Sequence, residues 1–202
     1  MEPADAADRL TRAEPPRWRC RCLALVVGLL VTASVPAREA GWYSAEGEPL
    51  PETEARKFVD GFGAWLLTSS NTHWGDHTAY AQRALALAAS EPVSVVVRGQ
   101  VISVLVFVMN PAANGFDQTD VSCDLRVIRP DGTQEARHRL PCLVERANFG
   151  GSHNLYRTDM VLEFEGEPAD PPGTWTVLAE IKDHVRDTTV KLRTTFVLED
   201  RG

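Results

Sequence analysis

The chain has 202 residues, a formal net charge of −7 and a charged fraction of 24%. No cluster of lysine and arginine follows residue 37, and this excludes a nucleic-acid binder, which needs a basic patch to displace phosphate counterions. The length suits one domain of ordinary size behind a targeting segment.

Residues 1–37 read as a signal peptide. Arg17-Trp18-Arg19-Cys20-Arg21 is a basic n-region, 23–35 is an apolar run of 13 residues, and Val35-Pro36-Ala37 offers small residues to signal peptidase. A membrane span needs about 20 apolar residues, so a retained anchor is the weaker alternative and the one route to a membrane. The mature chain would begin at Arg38. Losing residues 1–37 removes five arginines and four acids, which leaves a net charge of −8. Export to the periplasm or medium follows from this segment.

Residues 38–91 read as an N-terminal extension. The glycines and prolines of 38–51 suit a flexible lead-in. A helix beginning at 52–57 would have to run through Gly61 and Gly63, so a strand is expected over 62–68. A polar loop over 69–76 leads to a short helix over 78–89, with Asp76 as its cap.

From Pro92 to residue 200 the strands are dense. Residues 93–98, a Gly99-Gln100 turn and 101–109 give two strands, the second apolar on both faces and therefore central. Residues 120–128 and 134–143 flank the turn Arg129-Pro130-Asp131-Gly132-Thr133. Residues 156–165 alternate between apolar and charged, as a half-buried strand does. A final hairpin runs over 172–183 and 189–198. Its apolar positions recur every second residue and set Trp175 opposite Phe196, Val177 opposite Thr194, Ala179 opposite Leu192 and Ile181 opposite Val190.

Cys20 and Cys22 fall in the signal segment, which leaves Cys123 and Cys142 as one disulfide in an exported chain. A loop centred on Gly132-Thr133 would set Cys123 opposite Cys142 and Leu125 opposite Leu140, a geometry that permits a cross-strand bridge. Closing a loop of this size contributes about 3 kcal/mol in the chain-entropy model.

About seven strands from residue 93, with no helix between them, give an all-β, immunoglobulin-like antiparallel β-sandwich over 92–200. The Pro172-Gly173 corner followed by Trp175, and the Gly99-Gln100-Val101 turn followed by Val104, Val106, Val108 and Asn110-Pro111, resemble strands of bacterial immunoglobulin-like or fibronectin-III-like modules. Gly61-Phe62-Gly63-Ala64-Trp65-Leu66-Leu67, Cys123-Asp124-Leu125 and Gly173-Thr174-Trp175 are also similar to segments of a group of small exported bacterial proteins. That likeness carries no activity with it. Antibody domains join their two sheets by the disulfide, whereas here it would lie within a hairpin.

His73, Asp76 and His77 are the one cluster of metal-ligand types. On a helix the two imidazoles would share a face and, with Asp76, could hold zinc, copper or nickel. Gly75 weakens that helix, and a solvated loop explains the same residues. His153 lacks a nucleophile partner: there is no Gly-x-Ser-x-Gly, no His-Glu-x-x-His and no reactive cysteine, so an enzyme is not expected. Asp183-His184 falls where a hairpin loop needs polar residues. Phe116 and Phe149 stand on loops and are the candidate contacts of a binding surface. The expectation is an exported, non-enzymatic binding or structural module of a bacterial envelope, without a cofactor, whose partner is another envelope protein or a surface ligand. The alternative is a periplasmic metal-binding protein using His73, Asp76 and His77.

Overall fold

The computed structural model describes residues 41–44, 47–70, 92–143 and 155–200. Two of the sequence-based expectations, the signal peptide over 1–37 and the helix over 78–89, lie outside them. Among the described residues, all of which fall in the unit 38–202, nine strands form: β1 (Arg56–Val59), β2 (Phe62–Ser69), β3 (Val95–Val97), β4 (Val101–Met109), β5 (Val121–Ile128), β6 (Gln134–Leu143), β7 (Leu155–Glu165), β8 (Gly173–Asp183) and β9 (Thr188–Glu199). No helix occurs among the described residues.

The strands make two sheets, one ordered β1-β2-β4-β7 and the other β3-β9-β8-β5-β6. β2, β4 and β7 take the places of strands A, B and E of an immunoglobulin sandwich, and β9, β8 and β5 those of G, F and C. The fold is thus an all-β, immunoglobulin-like sandwich. Its core lies between the sheets, where Phe62, Leu66, Ile102, Val104, Val106, Ile181, Phe196 and Leu198 are almost fully removed from water.

The final hairpin has the register that the alternation of its residues implies, with Trp175 opposite Phe196 and Ile181 opposite Val190. Trp175 and Phe196 stack at 6.3 Å, and Phe164 of the facing sheet lies 4.9 Å from Trp175 and 4.8 Å from Phe196. The indole is partnered as well, since Trp175 Nε1 donates to Pro171 O at 3.1 Å.

Four details depart from the sequence reading. First, residues 56–69 are built into the sandwich and do not stand apart as an extension. Asp60 and Gly61 both have positive φ (47° and 82°), the conformation of a tight two-residue hairpin turn, so Gly61 closes a hairpin here and breaks no helix. β2 pairs with β4 and sends Phe62, Ala64 and Leu66 into the common core. Second, β3 and β4 do not form a hairpin. β3 pairs in parallel with β9, and the chain changes sheets at the turn where Gly99 has φ 81°.

Third, the β5–β6 turn is centred one to two residues earlier than expected. Asp131 Oδ1 accepts from Thr133 N at 2.9 Å and from Thr133 Oγ1 at 2.7 Å, which fixes the tip and sets Ile128 opposite Gln134. Leu125 then faces Arg137 and Cys123 faces Leu140. Two irregularities in the ladder bring Cys142 back within reach, and Cys123 and Cys142 are bonded with Cα atoms 5.8 Å apart. Fourth, β7 carries two extra residues between the positions facing Leu105 and Phe107. Thr158 Oγ1 there donates to Val106 O at 3.0 Å, so the interruption keeps its hydrogen bond.

Candidate binding surface at the loop end

The β1–β2 turn, the β4–β5 loop (110–120) and the β8–β9 turn (184–187) lie at one end of the sandwich. One buried carboxylate ties them together. Asp183, at the end of β8, is fully buried. Its Oδ2 accepts from Ala112 N at 2.7 Å, and its Oδ1 accepts from Val185 N at 3.1 Å and Arg186 N at 3.0 Å. Arg186 Nε lies 3.8 Å from Oδ2. The guanidinium then reaches away from β8: Nη2 donates to Asn110 O at 3.2 Å and Nη1 to Asp60 O at 3.5 Å. Asn110, with φ 52°, donates from Nδ2 to Gly61 O at 2.6 Å. Gly61 has φ 82°, which favours glycine, and a Cβ there would also come within 2.9 Å of Arg186 Nη1 and displace the end of that side chain. A buried carboxylate is tolerable because backbone amides and a guanidinium satisfy it.

The β4–β5 loop stands on this joint and is itself closed. Asn114 N donates to Gln118 O at 2.9 Å, and Asn114 Oδ1 accepts from Phe116 N at 2.8 Å and Gln118 N at 3.1 Å. Ala113 and Thr119 form a bridge across its base. The asparagine side chain thus acts as a local turn template. At the tip Phe116 is 82% exposed, the largest exposure of any large hydrophobic among the described residues, and Val185 on the adjoining turn is 37% exposed.

His184 and Ser122 meet beside this loop, with Ser122 Oγ 2.8 Å from His184 Nε2. The pair lacks the other parts of a nucleophilic site. Ser122 sits in the regular ladder of β5 opposite Lys182, and no carboxylate among the described residues hydrogen-bonds the other ring nitrogen. His184 N donates to Asp120 O at 2.9 Å, so this contact locks the β8–β9 turn to the start of β5.

Of the residues singled out from sequence, Phe116 lies exposed at the tip of the β4–β5 loop, while Phe149, His153, His73, Asp76 and His77 lie outside the described residues. No group of three or more His, Cys, Asp or Glu that could hold a metal occurs among the described residues. Cys123 and Cys142 are buried in the core and play a structural part. Sequence reasoning missed the Asp183–Arg186 joint. Beyond the two turn amides at 185 and 186, its partners are 71 to 126 positions away in the chain, and no local pattern marks those.

No family model and no curated protein sequence matches the chain. Solved structures that share part of its form include the alkylpurine DNA glycosylase AlkC of Pseudomonas fluorescens bound to DNA (12% identity, TM-score 0.34, covering 52% of this chain and 28% of that one). A family 123 glycoside hydrolase from Clostridium perfringens is 8% identical, with a TM-score of 0.35, over 68% of this chain and 28% of that one. The CARDB domain of the PF1109 protein from Pyrococcus furiosus, in complex with di-metal ions, is 13% identical with a TM-score of 0.32, over 75% of this chain and 99% of that one. The chain therefore spans little more than a quarter of the two enzymes. The assignment of an immunoglobulin-like sandwich rests on the strand order alone.

Proposed function

We propose that the chain is an exported, non-enzymatic binding module of a bacterial envelope, which holds a partner protein through the loop end with Phe116 as its anchor. The supporting observation is a phenylalanine held in water by a loop that is hydrogen-bonded to itself and seated on a buried carboxylate. Leaving an aromatic ring in solvent forgoes the 1.5–3 kcal/mol or so that burying it would contribute. A fixed loop also lowers the entropy lost on association, and buried aromatics are the residues that dominate interface energies. Export is supported by the signal-like residues 1–37 and by the disulfide, which persists in oxidising compartments. No helix among the described residues is long and apolar enough to cross a membrane.

The test places a photo-crosslinking phenylalanine analogue at position 116 or, as a control, at Glu180 on the far sheet face, in cells that export the protein. Crosslinks from 116 to one discrete protein, lost on competition with excess unlabelled wild type but not with Phe116→Ala, are the expected result. Equal labelling from both positions would overturn the reading, as would undiminished competition by Phe116→Ala.

A further inference from the structure

The β4–β5 loop carries a feature that the presentation of Phe116 does not explain. Asn114 is followed by Gly115, and nothing in the fold requires a glycine there. Its φ lies outside the left-handed region, and a Cβ built on it would meet no atom within 4 Å. Gly61 and Gly132, by contrast, have φ 82° and 83°, which their turns need. What the missing side chain at 115 does is leave unhindered the backbone nitrogen that follows Asn114.

Both partners of one reaction are thereby in place. Asn114 and Gly115 are exposed, and neither Gly115 N nor Asn114 Nδ2 makes a hydrogen bond among the described residues. Asn114 Oδ1, however, accepts from Phe116 N at 2.8 Å and from Gln118 N at 3.1 Å. These two donors draw electron density from Cγ and would hold the negative charge that Oδ1 gains when a nucleophile adds to it. The bond from Phe116 N to Oδ1 also closes a ring that includes Gly115 N, so the side chain is folded back over that nitrogen.

We propose that Asn114 is a site of spontaneous deamidation, a modification that the folded loop promotes. Gly115 N loses its proton to solvent base, attacks Asn114 Cγ and forms a C–N bond. The bond from Cγ to Nδ2 breaks, and the amide nitrogen leaves as ammonia with a proton from water. The cyclic succinimide then takes up water at either carbonyl and opens to aspartate or iso-aspartate, with no oxidant or reductant involved. Asn110, the other asparagine among the described residues, precedes Pro111, whose nitrogen carries no proton and cannot react in this way. At Asp131-Gly132 the nitrogen is committed to Arg129 O at 2.9 Å, and the hydrogen bonds of Thr133 hold the Asp131 carboxyl below its ordinary range, ionised and a poor electrophile.

Iso-aspartate adds a carbon to the main chain inside the loop, so the bonds from Asp117 N to Asn114 O and from Asn114 N to Gln118 O lose their geometry. The chemistry stands apart from what Phe116 binds, and only its effect on a partner rests on that reading.

The test incubates the wild-type protein below its melting temperature at neutral and mildly alkaline pH. After reduction and digestion with trypsin, mass spectrometry localises deamidation within the fragment Gly99–Arg126. A synthetic peptide of residues 111–119 is the reference without the fold. Asn114 should convert faster than any other asparagine, faster in the protein than in the peptide, and faster at the higher pH, with iso-aspartate among the products. Gly115→Ala, which fits the space and the φ of the loop, should slow conversion about tenfold, a barrier change of about 1.4 kcal/mol, and leave the melting temperature unchanged. The same variant keeps Phe116 in place, so failure of the binding reading would not alter this result. An Asn114 that survives intact, that converts no faster than in the peptide, or that converts equally in Gly115→Ala would overturn the proposal.

Discussion

The outer faces of the two sheets are built on opposite principles. That of the four-stranded sheet is a second core. Trp65, Leu67, Leu105, Phe107 and Met109 cluster there with Trp42, and Phe58 and Leu50 pack at the margin. Trp65 meets Trp42 edge-on at 6.3 Å and Phe107 at 5.7 Å, and the Arg56 guanidinium lies 5.7 Å from its ring. A Cβ at Gly63 would come within 2.8 Å of Phe58 Cδ2 and 3.0 Å of Trp42 Cζ2, so the segment crossing the face needs that glycine. The outer face of the five-stranded sheet is solvated: Glu180 and Lys191 pair across β8 and β9 at 3.4 Å with both side chains largely in water. One sheet is buried on both sides and the other on one, which is why β4 reads as apolar throughout and β8 and β9 alternate.

This contrast is open to breakage in order of size. Phe107→Ala removes a fully buried ring from the outer cluster and should cost about 4 kcal/mol in urea unfolding, as much as a truncation between the sheets. A loss below about 1 kcal/mol would mean that the second cluster is surface and not core. Asp183→Ala strips the acceptor from three backbone amides and removes the countercharge of the Arg186 guanidinium, 3.8 Å away. It should cost about 3 kcal/mol and speed exchange at Ala112, Val185 and Arg186. Replacing Glu180 and Lys191 together by alanine should cost about 0.5 kcal/mol or less, and a larger loss would show that the solvated face carries structure.

The smallest effect is one of pH, and it belongs to the solvated sheet alone. The hydrogen bond and charge of Lys182, 2.9 Å away, hold the Asp187 carboxyl below its ordinary range. A depressed folded value contributes stability above the ordinary carboxylate range, and that contribution is lost as pH falls through the folded value. Asp187→Asn should therefore lower the melting temperature slightly at neutral pH and leave it unchanged in strong acid. Both side chains of the Lys182–Asp187 pair are exposed, so the difference should also shrink with salt. An effect that persists at the acid extreme would point to the turn backbone, where Asp187 has φ 57°, and not to the charge.

What could be read from sequence divides along the same physical line. The β8–β9 register followed from residues 175–196 because a short-range hairpin with period-two burial admits one pairing, and the two-sided apolarity of 101–109 marked β4 as central. The β5–β6 register did not follow, because Asp131 sets the turn tip and two ladder irregularities intervene. β1 was not legible because Gly61 and Gly63 argue against a helix from 52–57 without marking a strand there, whereas Asp60-Gly61 forms a tight hairpin turn. At the loop end Phe116 was legible as an aromatic amid turn residues, while the bonds of Asp183 to Ala112 and of Arg186 to Asp60 and Asn110 join segments distant in the chain and leave no local pattern. The acidic alternation of β7 was legible as half-burial.

A binding role for Phe116 requires an ordered loop that holds it out to water, and ¹⁵N relaxation of the backbone amides of 113–119 measures this directly. Order parameters of about 0.85, equal to those of β4 and β5 and falling on Asn114→Ala, are the expected result. Values below about 0.6 in the wild-type loop would contradict it, since a mobile tip would offer no preorganised anchor.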